Sequence, residues 1–327
     1  MTAPLDVDTA ATSAAPEAVL AAGPAKGIEG RSLGQIAWMR LKRDKVALGG
    51  AVFIIALILV AILAPLLVKI PGTRPDEFHT NLLDPNLGGL PKGRLGGASL
   101  AHPLGVEPSN GRDIFARLVY GARVSLLIAL FATLFSIVVG GVAGIVSGFF
   151  GGKVDSAISR VMDILLAFPV LVFSIALIGV VPDSFPRLLL LVMVIGFFGW
   201  PYIGRIIRGQ TLSLREREFV DAARSLGATN GHIIFRQLLP NLVAPLLVYS
   251  TLIIPTNILT EAAFSYLGVG VQPPTASWGV MLSDAVSWYQ GDPAYMLFPG
   301  LTLFITVLAF NLLGDGLRDA LDPRAGR

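Results

Sequence analysis

Six long apolar runs, set apart by polar segments, organise this chain: 46–68, 124–150, 164–181, 188–204, 242–259 and 294–313. None holds a charged residue within those limits. About 20 apolar residues cross roughly 30 Å of hydrocarbon at 1.5 Å per residue, so each run predicts a transmembrane helix. Ahead of the first run, 31–45 mixes Leu33, Ile36, Ala37, Met39 and Leu41 with five cations, the pattern of a helix lying in the membrane interface. Residues 1–30 are rich in Ala, Pro and Thr, lack the apolar core of a signal peptide, and predict a disordered tail. Two connections are long, 69–123 and 205–240. The predicted architecture is an all-α integral membrane protein of six spans over 46–327.

Composition agrees with that pattern. Hydrophobic residues make up 54% of the chain and charged ones 14%, against about 25% charged in soluble domains. Charge then sets an orientation. Six arginines lie between Arg205 and Pro240 and none between Ser265 and Pro293. The positive-inside rule places 205–240 in the cytoplasm, with both termini on that side and 69–123 outside. Arg112, Arg117 and Arg123 run against the rule, and charge patterning offers no account of them.

The chemistry-bearing residues exclude several function classes. With no cysteine, disulfide frameworks and thiolate metal sites are out, and no metal site is expected. His79, His102 and His232 all fall outside the runs, so no membrane-embedded base is available to a serine nucleophile. Asp315 in "LLGDG" has no partner Asp in a second run. Gly151-Gly152-Lys153 is followed by Val154 and lacks the spacing of a phosphate loop, so hydrolysis of ATP is not expected here. No run carries the acid or base of a proton-coupled carrier.

Small residues recur with meaning in two places. Gly140, Gly144, Gly148 and Gly152 are four apart, which predicts a helix face that another backbone approaches closely, in this chain or a partner. In 205–240, Phe219, Ala222, Ala223 and Leu226 follow amphipathic helical spacing. Gly227 suits a left-handed C-cap, Asn230 a cap for a second short helix, 231–239, and Pro240 the first turn of the fifth span. The segment predicts a helix-turn-helix bracket outside the membrane. Pro169, Pro201, Pro245 and Pro255 predict kinks or ends in the spans. Asn257 and Glu261, one turn apart near the outer end of the fifth span, either line a translocation path or bond within the protein.

"DAARSLG" followed by "LLPN" resembles the EAA loop of permease subunits in bacterial binding-protein-dependent ABC importers. "NGRDIFARLVYGARVSL", "FSYLGVGVQPPTASWGVML" and "LAFNLLGDGLRDALDPR" resemble the second, C-type permease of the dipeptide, oligopeptide and nickel branch. The likeness runs from about Leu33 to Arg324. Two departures stand out. Gln237 occupies a position where the family has isoleucine, and Val106-Glu107-Pro108-Ser109-Asn110 stands one residue longer than the usual Thr-Asp segment.

The resemblance implies a bacterial inner-membrane subunit that forms half of a peptide pathway, with no catalytic residue and no cofactor of its own. Its implied partners are a homologous second permease, two ATPases that hold ATP and magnesium, and an extracytoplasmic substrate-binding protein. The coupling residues it implies are Glu218, Asp221, Ala222, Ala223, Gly227 and Pro240. A nickel, glutathione or opine importer of the same family is the alternative. From another class, a secondary carrier or membrane scaffold stays open, and co-purification with an ATPase separates these from an importer.

Overall fold

The computed structural model describes residues 33–93, 95–182 and 184–321; the expected tail, 1–30, lies outside them. Helix α1 (Leu33–Leu41) is shorter than the expected 31–45 because Asp44 starts a new helix. Asp44 Oδ1 accepts the amides of Val46 and Ala47 at 2.9 and 3.0 Å, capping α2 (Lys45–Ile62). Helix α3 (Ala64–Leu67) ends the first apolar run. A small antiparallel hairpin follows, with Leu83 opposite Pro91 and Asp84 opposite Leu90.

Helix α4 (Ile114–Phe150) begins well before the apolar run at 124, because Asp113 Oδ1 caps it by accepting the Ala116 amide at 2.6 Å. The third run is not one straight helix. Helices α5 (Gly152–Ala167) and α6 (Val170–Val180) meet at Phe168 and Pro169, and the pair is bent by 78°. Pro169 lacks an amide hydrogen to carry the helix on. Helix α7 (Arg187–Arg215) continues past the expected limit at 204, so the first third of the expected loop is helical.

Helix α8 (Glu218–Ser225) is followed by α9 (Asn230–His232), a π-helical stretch over Ile233–Leu238, and α10 (Leu239–Tyr266). These last three form one continuous rod rather than a short helix and a separate span. The widened turn meets the constraint at Pro240, which cannot donate and would crowd a regular ladder. There the Leu239 amide reaches back five residues to the Ile234 carbonyl. Helices α11 (Trp278–Ala285) and α12 (Pro293–Leu321) complete the chain. Pro201, Pro245 and Pro255, expected as kinks or ends, lie inside unbroken helices. Among the described residues, five helices are long and apolar enough to cross a membrane, or six if the bent pair is one span.

Helix α4 is the hub. One side packs along α7, and the other meets α10 and α2, which α12 covers. The seam with α7 runs along the glycines. A Cβ on Gly140 would stand 2.5 Å from the Trp200 carbonyl oxygen, and one on Gly144 2.7 Å from that of Gly204. On Gly148 it would meet Thr211 Cβ at 2.7 Å. Gly152 is not part of this seam. It opens α5 with φ +55°, and nothing lies within 4 Å of where its Cβ would be.

Candidate coupling site

Helix α8 is built to be anchored on one side and open on the other. Arg217 precedes it in extended conformation, and Glu218 and Asp221 occupy its first turn, where carboxylates complement the helix dipole. Val220 is the anchor. It is fully buried in one hydrophobic cluster with Ile145 and Phe149 of α4, Ile203 and Ile207 of α7, and Ile233 and Leu238 of the π-helical stretch. The helix therefore rests on the same end of the bundle where the α4–α7 seam finishes.

Its C-terminus closes with a paired set of backbone bonds. The Gly227 amide donates to the Arg224 carbonyl at 2.9 Å, and the Ala228 amide to the Ala223 carbonyl at 3.0 Å. This is the Schellman arrangement, and it needs a residue of positive φ at its turn. Gly227 supplies φ +79°. Thr229, not Asn230, then starts the next helix, its Oγ1 accepting the His232 amide at 3.3 Å. The sequence could not separate two adjacent capping residues, because either side chain can make that bond.

The opposite face has no cover within the described chain. Leu226 is 88% exposed, and Phe219 and Ala222 are exposed as well. With Ala223, Gly227 and His232 they line a concavity of about 590 Å³. Asp221 faces Arg224 at 3.4 Å, both exposed. Pro240 is not among the residues that line this concavity; it lies in the first turn of α10.

Asn257 and Glu261 sit elsewhere, inside the bundle. Glu261 exposes no surface. Its two oxygens accept from Ser125 Oγ of α4 and Ser265 Oγ of its own helix, each at 2.7 Å. Asn257 Nδ2 donates to Thr133 Oγ1 at 2.8 Å. Of their two readings, bonding within the protein matches this geometry, and the pair ties α10 to α4.

At the end of the bundle opposite α8, the structure accounts for arginines that charge patterning could not. Arg112 Nε donates to Glu107 Oε2 at 2.6 Å, and Arg117 Nε lies 2.5 Å from Glu107 Oε1. Asp284 of α11 stands 3.4 Å from Arg112 and 3.8 Å from Arg117. Burial pushes the Glu107 carboxyl up from its ordinary value, and Arg117 and Arg112 pull against that. Glu107 belongs to the segment that is one residue longer than the resemblance leads one to expect, the one sequence signal that could have found this cluster. Near α8, the Arg208 guanidinium of α7 grips Asp155 of α5 at 2.5 and 2.7 Å, and Arg205 pairs with Asp163.

Comparison with known proteins follows the same lines. Residues 140–327 match the family described as binding-protein-dependent transport system inner membrane component. Residues 32–85 match the N-terminal transmembrane domain of oligopeptide transport permease C. The dipeptide transport system permease protein of Alkalihalophilus pseudofirmus is 42% identical over 288 residues, 88% of this chain and 89% of the relative. The oligopeptide transport system permease protein of Bacillus subtilis is 39% identical, covering 93% and 94%. The glutathione transport system permease protein of Pectobacterium atrosepticum is 38% identical, covering 88% and 90%. Among solved structures, the inward-facing MetNI methionine ABC transporter aligns with TM-score 0.51 over 64% of this chain and 98% of that one. At 20% identity, that likeness speaks to the fold alone.

Proposed function

This chain belongs to the binding-protein-dependent transport system inner membrane components, and from that premise we propose that it forms half of a peptide translocation path and takes its driving force through α8. It is a multi-pass permease subunit of an ABC importer, not an enzyme. Two ATPase subunits, a homologous second permease and an extracytoplasmic binding protein complete the assembly in this reading. ATP and magnesium belong to the ATPases. Peptides are the substrate class because relatives covering nearly the whole chain are named for dipeptide and oligopeptide transport. Glutathione is the second reading, favoured by the relative named for it, and the two part in uptake assays with a dipeptide and with glutathione.

The observation that carries the coupling role is the open face of α8. Val220 and the Gly227 turn hold the helix, while Ala222 and Leu226 stand exposed and Phe219 partly so. A helix locked to the bundle transmits displacement as a lever, so a partner that closes on ATP can bias the bundle between two states. In this reading the bent α5–α6 pair is the third of six spans, and α8 and both termini face the cytoplasm. A reporter after Gly227 should then report cytoplasm, and one after Gln272 the outside.

The direct test is Ala223→Glu in the complex purified with its ATPases. The larger side chain overpacks the concavity, an insertion costing about 1–3 kcal/mol. The expected outcome is normal membrane insertion and pairing with the second permease, but loss of bound ATPase or of uptake. Wild-type uptake with full ATPase retention would reduce α8 to a connector.

A further inference from the structure

At the end of the bundle opposite α8, a second cavity of about 500 Å³ opens between the small hairpin and the start of α12. Leu87, Leu90, Leu95 and Ala294 give it apolar walls, and Asp292 is its one acidic group among the described residues. Asp292 is 5% exposed, and its Oδ2 has no hydrogen-bond partner among the described residues. Burial pushes the carboxyl up from its ordinary value, and the amides of Ala294 and Tyr295 pull against that. A buried carboxylate oxygen left without a partner is an unfavourable arrangement unless something cationic joins it. A Cβ on Gly96 would come within 3.1 Å of Oδ2, so glycine keeps that side of the oxygen clear.

A single buried carboxylate within apolar walls selects a ligand with one ammonium group beside an apolar side chain. The volume falls in the range of small-molecule sites, about 300–1,000 Å³, rather than of a flat docking surface. We propose that this cavity receives the amino terminus of the incoming peptide, Asp292 pairing with the α-ammonium and Leu87, Leu90 and Leu95 enclosing the first side chain. The inference rests on the peptide reading above and adds a residue-level contact to it. A charge-assisted bond from ammonium to carboxylate supplies the orientation.

The test uses the full complex in lipid nanodiscs, with ATP hydrolysis followed against leucyl-alanine and N-acetyl-leucyl-alanine. Asp292→Asn keeps the size and shape of the side chain and removes only its charge, so the fold is retained. The expected result is a rise of about tenfold or more in the half-maximal concentration of leucyl-alanine, with the response to the acetylated peptide unmoved. An unchanged leucyl-alanine response would overturn the inference and leave the peptide reading standing. Equal losses for both peptides would assign Asp292 to the fold or to a protein partner and overturn it too. A second variant, Arg94→Ala, guards against an internal pair. If it loses as much as Asp292→Asn and the double variant loses no more, the carboxylate serves Arg94 and the inference fails. A wild-type complex indifferent to either peptide would overturn the peptide reading, and this inference with it.

Discussion

Small residues line both the α4–α7 seam and the outer face of α8, yet they do opposite things. In the seam, Gly140, Gly144 and Gly148 are small because the α7 backbone and Thr211 already occupy the space a side chain would need. On α8, Ala222 and Leu226 face open surroundings, and a Cβ on Gly227 would find nothing within 4 Å. The first set is explained by a neighbour within the chain. The second set has no such obstacle among the described residues, and at Gly227 the positive φ of the turn, not crowding, explains the glycine. A residue's size is therefore uninformative about function until its surroundings are known.

The comparison breaks most visibly in the seam. Gly144→Leu would drive its side chain into the Gly204 carbonyl and the Arg208 amide, 2.7 and 2.9 Å from the added Cβ. Backbone cannot swing aside as a side chain can, so the cost should reach about 3 kcal/mol or more. Loss of folded chain in detergent, read by thermal unfolding, should precede any question of transport. A stable, fully active variant would show that the two helices separate freely.

Gly227 sharpens the other side of the comparison. Gly227→Val meets no steric obstacle, so its effect is conformational strain at φ +79°, on the order of 1–3 kcal/mol. Gly227→Asn should lose far less, since asparagine tolerates that region. Both should insert normally, and Val should lose uptake while Asn retains most of it. Equal losses from Val and Asn would mean that the turn is not what matters at this position.

The smallest effect belongs to Asp221→Asn. Its partner Arg224 is 3.4 Å away, and both side chains are exposed, so the pair contributes about 0–1 kcal/mol. Thermal stability should be unchanged within error. Any large change in ATPase retention would then report a contact across the interface rather than within α8.

Hydropathy reads membrane spans well, because transfer into lipid depends on composition along a run and hardly at all on neighbours. It reads helix ends poorly. Helix α4 starts at Ile114 and α7 ends at Arg215, both beyond the apolar limits, because a helix continues wherever its backbone bonds are met. Charged residues leave the membrane without leaving the helix. Prolines were equally ambiguous: Pro169 breaks its span while Pro201 does not, and nothing local to either tells them apart.

Legible in the residues alone were the membrane setting, the amphipathic spacing of α8, the turn at Gly227 and the glycine stripe, since each is a property of a short stretch. Which helix fills that stripe was not, nor that Val220 anchors α8, nor that Glu107 joins Arg112 and Arg117 to α11. The same holds for Glu261, whose oxygens meet serines 136 and 4 residues away. These are pairings between distant segments, and they exist only once packing has brought the segments together. A pattern along one helix shows that a face needs a partner, and the folded chain shows whether it already has one.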